Sequence, residues 1–216
     1  MNRLDRRQSV APGTSGSADP TVSHRARTAA DNYLGELRKS VDQVDRERLS
    51  AVLCTLVGAL ESGRRVLVAG NGGSATTASH MSADLTAAMA HSGRPAGTVV
   101  SLVDNLARLT AIANDVSYED VFATQVAALG APGDVLLAIS VSGRSANVLA
   151  AARRARDLDM TVLALVGQPS PLSTASDHFV LLGQGDYGLS EDLHLTVGHI
   201  AVRMLRRVDA HVVADA

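Results

Sequence analysis

The sequence predicts an α/β fold, a parallel sheet covered on both faces by helices. Five short apolar runs, "RVLVAG", "AGTVVSL", "DVLLAIS", "TVLALVG" and "HFVLLG", alternate with helical patterns. Each run is apolar through its middle, as a strand buried on both faces must be, and strands separated by helices imply parallel pairing. Aromatic residues are only 2% of the chain, so the core is built of Val, Leu, Ile and Ala. At 216 residues the chain is long enough for one domain with a sizeable core.

In chain order, residues 1–25, "MNRLDRRQSVAPGTSGSADPTVSHR", lack apolar periodicity and are rich in Ser, Pro, Gly and Arg. They are expected to form a disordered tail ahead of a single domain over 26–216. Two helical patterns follow, "ARTAADNYLGELRKSV" and "DRERLSAVLCTLVGALESG", the second capped by Asp45 and stopped at Gly63. Cys54 falls inside the second pattern and is expected to be a buried structural thiol. The strands then begin, with helical patterns between them near 75–91, 105–113, 118–129 and 145–157, and a last helix over roughly 189–209.

Composition excludes several classes of function. Twenty basic residues face 22 acidic ones, for a net charge of −2, and no basic block lies in the body of the chain. A nucleic-acid surface is therefore not expected. No apolar stretch approaches the length of a membrane span, and the arginine-bearing N-terminus has no apolar signal region, so a cytoplasmic protein is expected. Cys54 is the only cysteine, which rules out an internal disulfide and a thiolate metal cluster. Lys39, the only lysine, lies in a polar helical stretch, a poor setting for Schiff-base chemistry.

Two turns carry the chemistry. In "VLVAGNGGSATTASH" a strand breaks into glycines and then opens a helix. The letters Gly70-Asn71-Gly72-Gly73-Ser74-Ala75 satisfy a dinucleotide fingerprint, but any anion-gripping strand–turn–helix looks the same. A dinucleotide reader also wants an acid about 20 residues beyond the glycines, at the end of the next strand, whereas Asp104 lies about 30 residues on. The second turn, in "VLLAISVSGRSANVLAAARRA", offers Ser140, Ser142 and Ser145 with Gly143. Hydroxyls and backbone N–H groups at a helix start suit a phosphate monoester; the alternative is that the serines only cap the helix. Because ligands of open parallel sheets sit beyond the carboxyl ends of the strands, both turns can face one ligand.

Further acid–base groups accompany the turns. His80 and Asp84 are i and i+4 on one helix face, where they can share a divalent ion or merely hydrogen-bond to each other. Glu191, His194 and His199 lie on the last helix, His194 fitting a structural role better.

"AGNGGSA", "SVSGRSANV" and the late "SEDLHLTVGHI", in this order and spacing, resemble the sugar isomerase (SIS) domain family. Over roughly residues 27–207, including "SLVDNLARLTAIANDVSYEDVF", the chain is similar to that family's phosphoheptose isomerases. The resemblance implies a three-layer αβα sandwich on a five-stranded parallel sheet, with N-terminal helices packed in a homotetramer whose sites lie at subunit interfaces. It implies a sugar-phosphate substrate and interconversion of sedoheptulose 7-phosphate and D-glycero-D-heptose 7-phosphate through an enediol. It assigns substrate contacts to Asn71, Gly72, Ser74, Asp104, Ser140, Ser142, Ser145 and Glu191. It assigns a divalent metal, usually zinc, to His80, Asp84, Glu191 and His199, and proton transfer to Asp84 and His199.

The chain departs from the family pattern at two of these positions and at two more in the second turn. Asp84 stands for a glutamate, Glu191 for a glutamine, Val141 for a threonine and Arg144 for an asparagine. Val141 loses a hydroxyl; Arg144 either adds a cation to the anion site or points to solvent. Two carboxylates with two histidines would neutralise a divalent cation, a set that also suits manganese or iron. The alternatives are a non-catalytic SIS module that binds a sugar phosphate or partners a replication initiator, and an SIS enzyme for another sugar phosphate.

Overall fold

The structure, a computed structural model, describes residues 19–91 and 97–206. Helix α1 spans Pro20–Asp42, and the chain divides into two units, the first ending at Glu36 and the second beginning at Leu37. Residues 20–25, expected in the tail, are helical: Asp19 accepts a hydrogen bond from the Thr21 backbone N–H at 2.8 Å, and Pro20 starts the helix with its φ already fixed. The rest of the expected tail, residues 1–18, lies outside the described residues.

The second unit continues with α2 (Arg46–Glu61), β1 (Arg65–Gly70), α3 (Gly73–His91), β2 (Thr98–Ser101), α4 (Leu106–Asp115) and α5 (Ala123–Leu129). Then come β3 (Val135–Ser140), α6 (Ala146–Asp157), β4 (Thr161–Val166), α7 (Pro171–Ala175), β5 (His178–Leu181), a 3-10 turn at Gly183–Gly185 and α8 (Tyr187–Arg206). The five strands pair in parallel in the order β2-β1-β3-β4-β5.

Alternate residues of each strand feed two cores. Val66, Val68, Leu137 and Ile139 pack with α2, α3 and α8 through Leu56, Met81 and Val197. Leu67, Ala69, Leu136 and Ala138 pack on the other face with α5, α6 and α7 through Val126, Ala151 and Leu172. This is the expected sandwich, and it explains why no strand alternates in polarity.

Two expectations are corrected here. Cys54 is exposed, with Ser50 Oγ 3.9 Å from its Sγ, because α2 buries the stripe Val52, Leu53, Leu56, Val57 and Leu60 and turns position 54 outward. The helix expected over 118–129 begins only at Ala123. Ser117 and Asp120 close a separate turn before it, Ser117 Oγ donating to Asp120 Oδ2 at 2.7 Å.

Candidate functional site

The strand order reverses between β1 and β3: the chain leaves β1 for β2 on one side and later returns to β3 on the other. The crevice beyond the carboxyl ends of such a pair is where open α/β sheets bind ligands. Both Gly/Ser turns lie there. In the first, a Cβ at Gly70 would fall 2.7 Å from the Ser74 carbonyl oxygen, and one at Gly73 would collide with the Glu191 carboxylate. In the second, Gly143 has φ +60°, and a Cβ there would strike Ser170 Oγ. The glycines are thus demanded by backbone sign and by close approach.

Ser140 Oγ accepts from the Gly143 N–H at 3.1 Å, and Ser142 Oγ from the Arg144 N–H at 3.3 Å. Ser145 occupies the N-cap position of α6, yet its side chain caps nothing; its Oγ lies 3.4 Å from Ser140 Oγ. That hydroxyl is therefore available to a ligand at a helix start that favours negative charge.

The two turns share one cavity of about 360 Å³, within the range of small-molecule sites. Asn71, Gly72, Gly73 and Ser74 line one side, and Ser140, Val141, Ser142 and Ser145 the other, with Tyr187 and Glu191 contributed by α8. Arg144 is exposed and does not line this cavity. Glu191, packed against Gly73 at the first turn of α3, sits where a helix N-terminus favours a carboxylate. An incoming phosphate then meets less repulsion at the second turn than at the first.

A second group of side chains lies where α3 packs on α8. Gly198 lets the helices approach closely, since a Cβ there would come within 2.7 Å of Met81 Cγ. The approach sets His199 beside His80 and Asp84. Asp84 Oδ2 is 3.3 Å from His80 Nε2 and 3.9 Å from His199 Nε2, and the two imidazoles meet edge to face at 5.5 Å. One ligand atom from each residue lies within 4.8 Å of the others. Donors at 2.0–2.2 Å from a tetrahedral cation are about 3.3–3.6 Å apart. His80 and Asp84 already stand at that spacing and His199 is slightly farther out at 3.9 Å, so the three could hold one divalent ion after a small closure, with a position left open.

The remaining predicted positions sit elsewhere. Glu191 is eight residues before His199 on the unbroken α8, a rise of about 12 Å, and it lines the cavity instead of joining the cluster. Asp104 accepts a hydrogen bond from Ser79 Oγ and does not line the cavity. His194 is fully buried, and neither ring nitrogen completes a hydrogen bond. Burial drives its pKa down to about 4, only weakly opposed by the nearby Val166 backbone. It is a neutral core residue.

Three residues that sequence reasoning missed reach the site. Tyr187 lines the cavity, and Asn147 and Tyr118 both hydrogen-bond to Asn71. Asn147 carries a faint signal, a polar residue on the apolar face of α6; Tyr118 carries none.

Among families of known proteins, the SIS domain matches residues 32–167. A phosphoheptose isomerase of Helicobacter pylori (strain ATCC 700392 / 26695) is 39% identical over 176 residues, covering 81% of this chain and 91% of that relative. The solved phosphoheptose isomerase GmhA from Neisseria gonorrhoeae superposes with a TM-score of 0.74 at 28% identity, over 85% of this chain and 99% of that one. A phosphoheptose isomerase from Francisella tularensis gives 0.76 at 27% identity, over 86% and 98%.

Proposed function

The chain belongs to the SIS domain family, among its phosphoheptose isomerases, and from that premise we propose that it interconverts sedoheptulose 7-phosphate and D-glycero-D-heptose 7-phosphate. The observation that carries the proposal is the pairing of one cavity between two Gly/Ser turns with a His80–Asp84–His199 cluster on the α3–α8 face. A module that only binds sugar phosphates needs the cavity and has no use for the cluster.

In this reading Ser140, Ser142 and Ser145 hold the phosphate, while Asn71, Gly72, Ser74 and Glu191 meet the sugar; Asp104, engaged by Ser79 outside the cavity lining, is proposed to reach sugar hydroxyls beyond its rim. Interconversion moves a proton between adjacent carbons through an enediol and another between the two oxygens. Asp84 Oδ2 faces both imidazoles, which leaves Oδ1 to take the carbon-bound proton. An imidazole can both take and return a proton close to neutral pH, and His199 serves the oxygens in this way. A divalent cation held by His80, Asp84 and His199, zinc in this proposal, supplies polarisation of the substrate carbonyl when bound.

Cavity and cluster draw on turns of α8 that are about 12 Å apart along its axis, so a complete site is proposed to combine chains of a homotetramer, with Glu191 completing the cluster of a neighbouring copy. Cytoplasm is the proposed compartment, since charged sugar phosphates do not cross a bilayer unaided. No helix among the described residues is long and apolar enough to cross a membrane.

Incubation with a panel of five- to seven-carbon ketose phosphates, assayed for aldose, tests the proposal. Aldose from the seven-carbon substrate supports it. Aldose only from a shorter one assigns another SIS enzyme, and binding without aldose from any assigns a non-catalytic module.

A further inference from the structure

Asn71 of the first turn and Asn147 of α6 exchange a pair of amide hydrogen bonds. Asn71 Nδ2 donates to Asn147 Oδ1 at 2.8 Å, and Asn147 Nδ2 donates to Asn71 Oδ1 at 3.0 Å. The Tyr118 hydroxyl donates to the same Asn71 Oδ1 at 3.1 Å. Asn147 is 3% exposed, and its own Oδ1 also accepts from the Val148 N–H at 2.9 Å. Both lone pairs of the Asn71 carbonyl are therefore committed, and only one of its N–H bonds remains for a ligand.

The pair ties two segments that are far apart in sequence. Asn71 lies on the first turn, and Asn147 follows directly on the second, two residues past Ser145. Tyr118 adds a third segment, from a loop that is itself anchored. The Ser117–Asp120 turn stiffens the loop, and Val121 and Phe122 are buried at its end. The Tyr118 ring itself is 59% exposed, so its hydroxyl is the part in use.

We propose that Asn147 and Tyr118 are positioning residues for the isomerase: they lock Asn71 and with it the separation between the two turns. This rests on the proposed function above. A free phosphate ion needs only the serines of the second turn. A sugar phosphate must reach both turns at once, and it alone senses their spacing.

The test compares the KM and kcat for sedoheptulose 7-phosphate with the inhibition constant of inorganic phosphate, in the wild type, Tyr118→Phe and Asn147→Ala. Tyr118→Phe removes one oxygen from an exposed ring and leaves the core untouched. It is expected to raise the KM for the sugar phosphate roughly threefold to tenfold, the span of one neutral hydrogen bond, with phosphate inhibition unchanged. Asn147→Ala is expected to give a larger split in the same direction. An unchanged KM in Tyr118→Phe overturns the proposal, and so does a rise shared equally by the sugar phosphate and inorganic phosphate. Should the wild type turn nothing over, the isomerase reading fails by itself, and calorimetric binding of the two ligands to the same variants still decides the positioning role.

Discussion

Ser145 stands at the start of α6 without capping it, which leaves its oxygen, near only the Ser140 hydroxyl, for the phosphate proposed there. A capping serine spends its oxygen on a backbone N–H; this one keeps it. Ser142 lies in the same turn, its oxygen taking only the long 3.3 Å bond from the Arg144 N–H. Ser142→Ala is expected to weaken binding of a phosphorylated substrate by about 1–3 kcal/mol, the range for a hydrogen bond to a charged group, and an unchanged KM would remove Ser142 from the site. At the cluster, His80→Ala is expected to lower bound divalent metal measured by elemental analysis. In the wild type a chelator is expected to abolish turnover, and added zinc to restore it. Full activity without metal would leave Asp84 and His199 as acid–base groups alone. The turns were legible in the sequence because Gly and Ser chemistry is local, and so was the His80–Asp84 pair at i and i+4. Asn147 and Tyr118 were not, because their shared partner Asn71 lies 76 and 47 residues away in the chain. Asp104 was legible only as an acid beyond a strand, which does not say that Ser79 would engage it.

Among the elements, α8 carries the most constraint. It supplies Tyr187 and Glu191 to the cavity and His199 to the cluster, and it buries His194 between them. With its pKa lowered from the ordinary 6.5 to about 4 by burial, His194 refuses a proton that the unfolded chain accepts. Stability from this residue is therefore full above about pH 6.5 and falls as the pH drops towards 4, by roughly 3 kcal/mol over the whole window. Replacing it with an apolar side chain, His194→Leu, is expected to flatten that part of the stability profile. Urea midpoints measured for both proteins between pH 7 and 4 check it, and parallel profiles would show that His194 does not set the slope. The strands were legible because each is a continuous apolar run, and β1 matches the run "RVLVAG" residue for residue. The five residues of α7 are too few for a helical period to register, although Pro171 behind the Ser170 capping box starts it unmistakably once seen. α1 begins earlier than expected because its first turns depend on the Asp19 cap and not on an apolar stripe.

For the molecule as a whole, the geometry of α8 decides how a site can be assembled. Glu191 and His199 share one unbroken helix, and about 12 Å of rise separates them, whereas two ligands of one ion must each come within 2.0–2.3 Å of it. Within one chain they cannot meet, and Glu191 indeed lines the cavity while His199 faces Asp84. If both serve the same chemistry, they do so in different copies. Surface apolar groups for such contacts exist: Leu106 is 69% exposed at the start of α4, and Val116 is 64% exposed just past its end. The proposed tetramer is tested by mixing two inactive variants, Glu191→Ala and His199→Ala, under conditions that let subunits exchange. Where the two residues of a site come from different chains, some mixed sites receive an intact Glu191 from one variant and an intact His199 from the other, and part of the activity returns. Where both come from one chain, every site keeps a defect whatever the mixing. A monomer on sizing, or no recovery after exchange has been verified by labelled subunits, would sink the shared site and return Glu191 to a role in the cavity of its own chain.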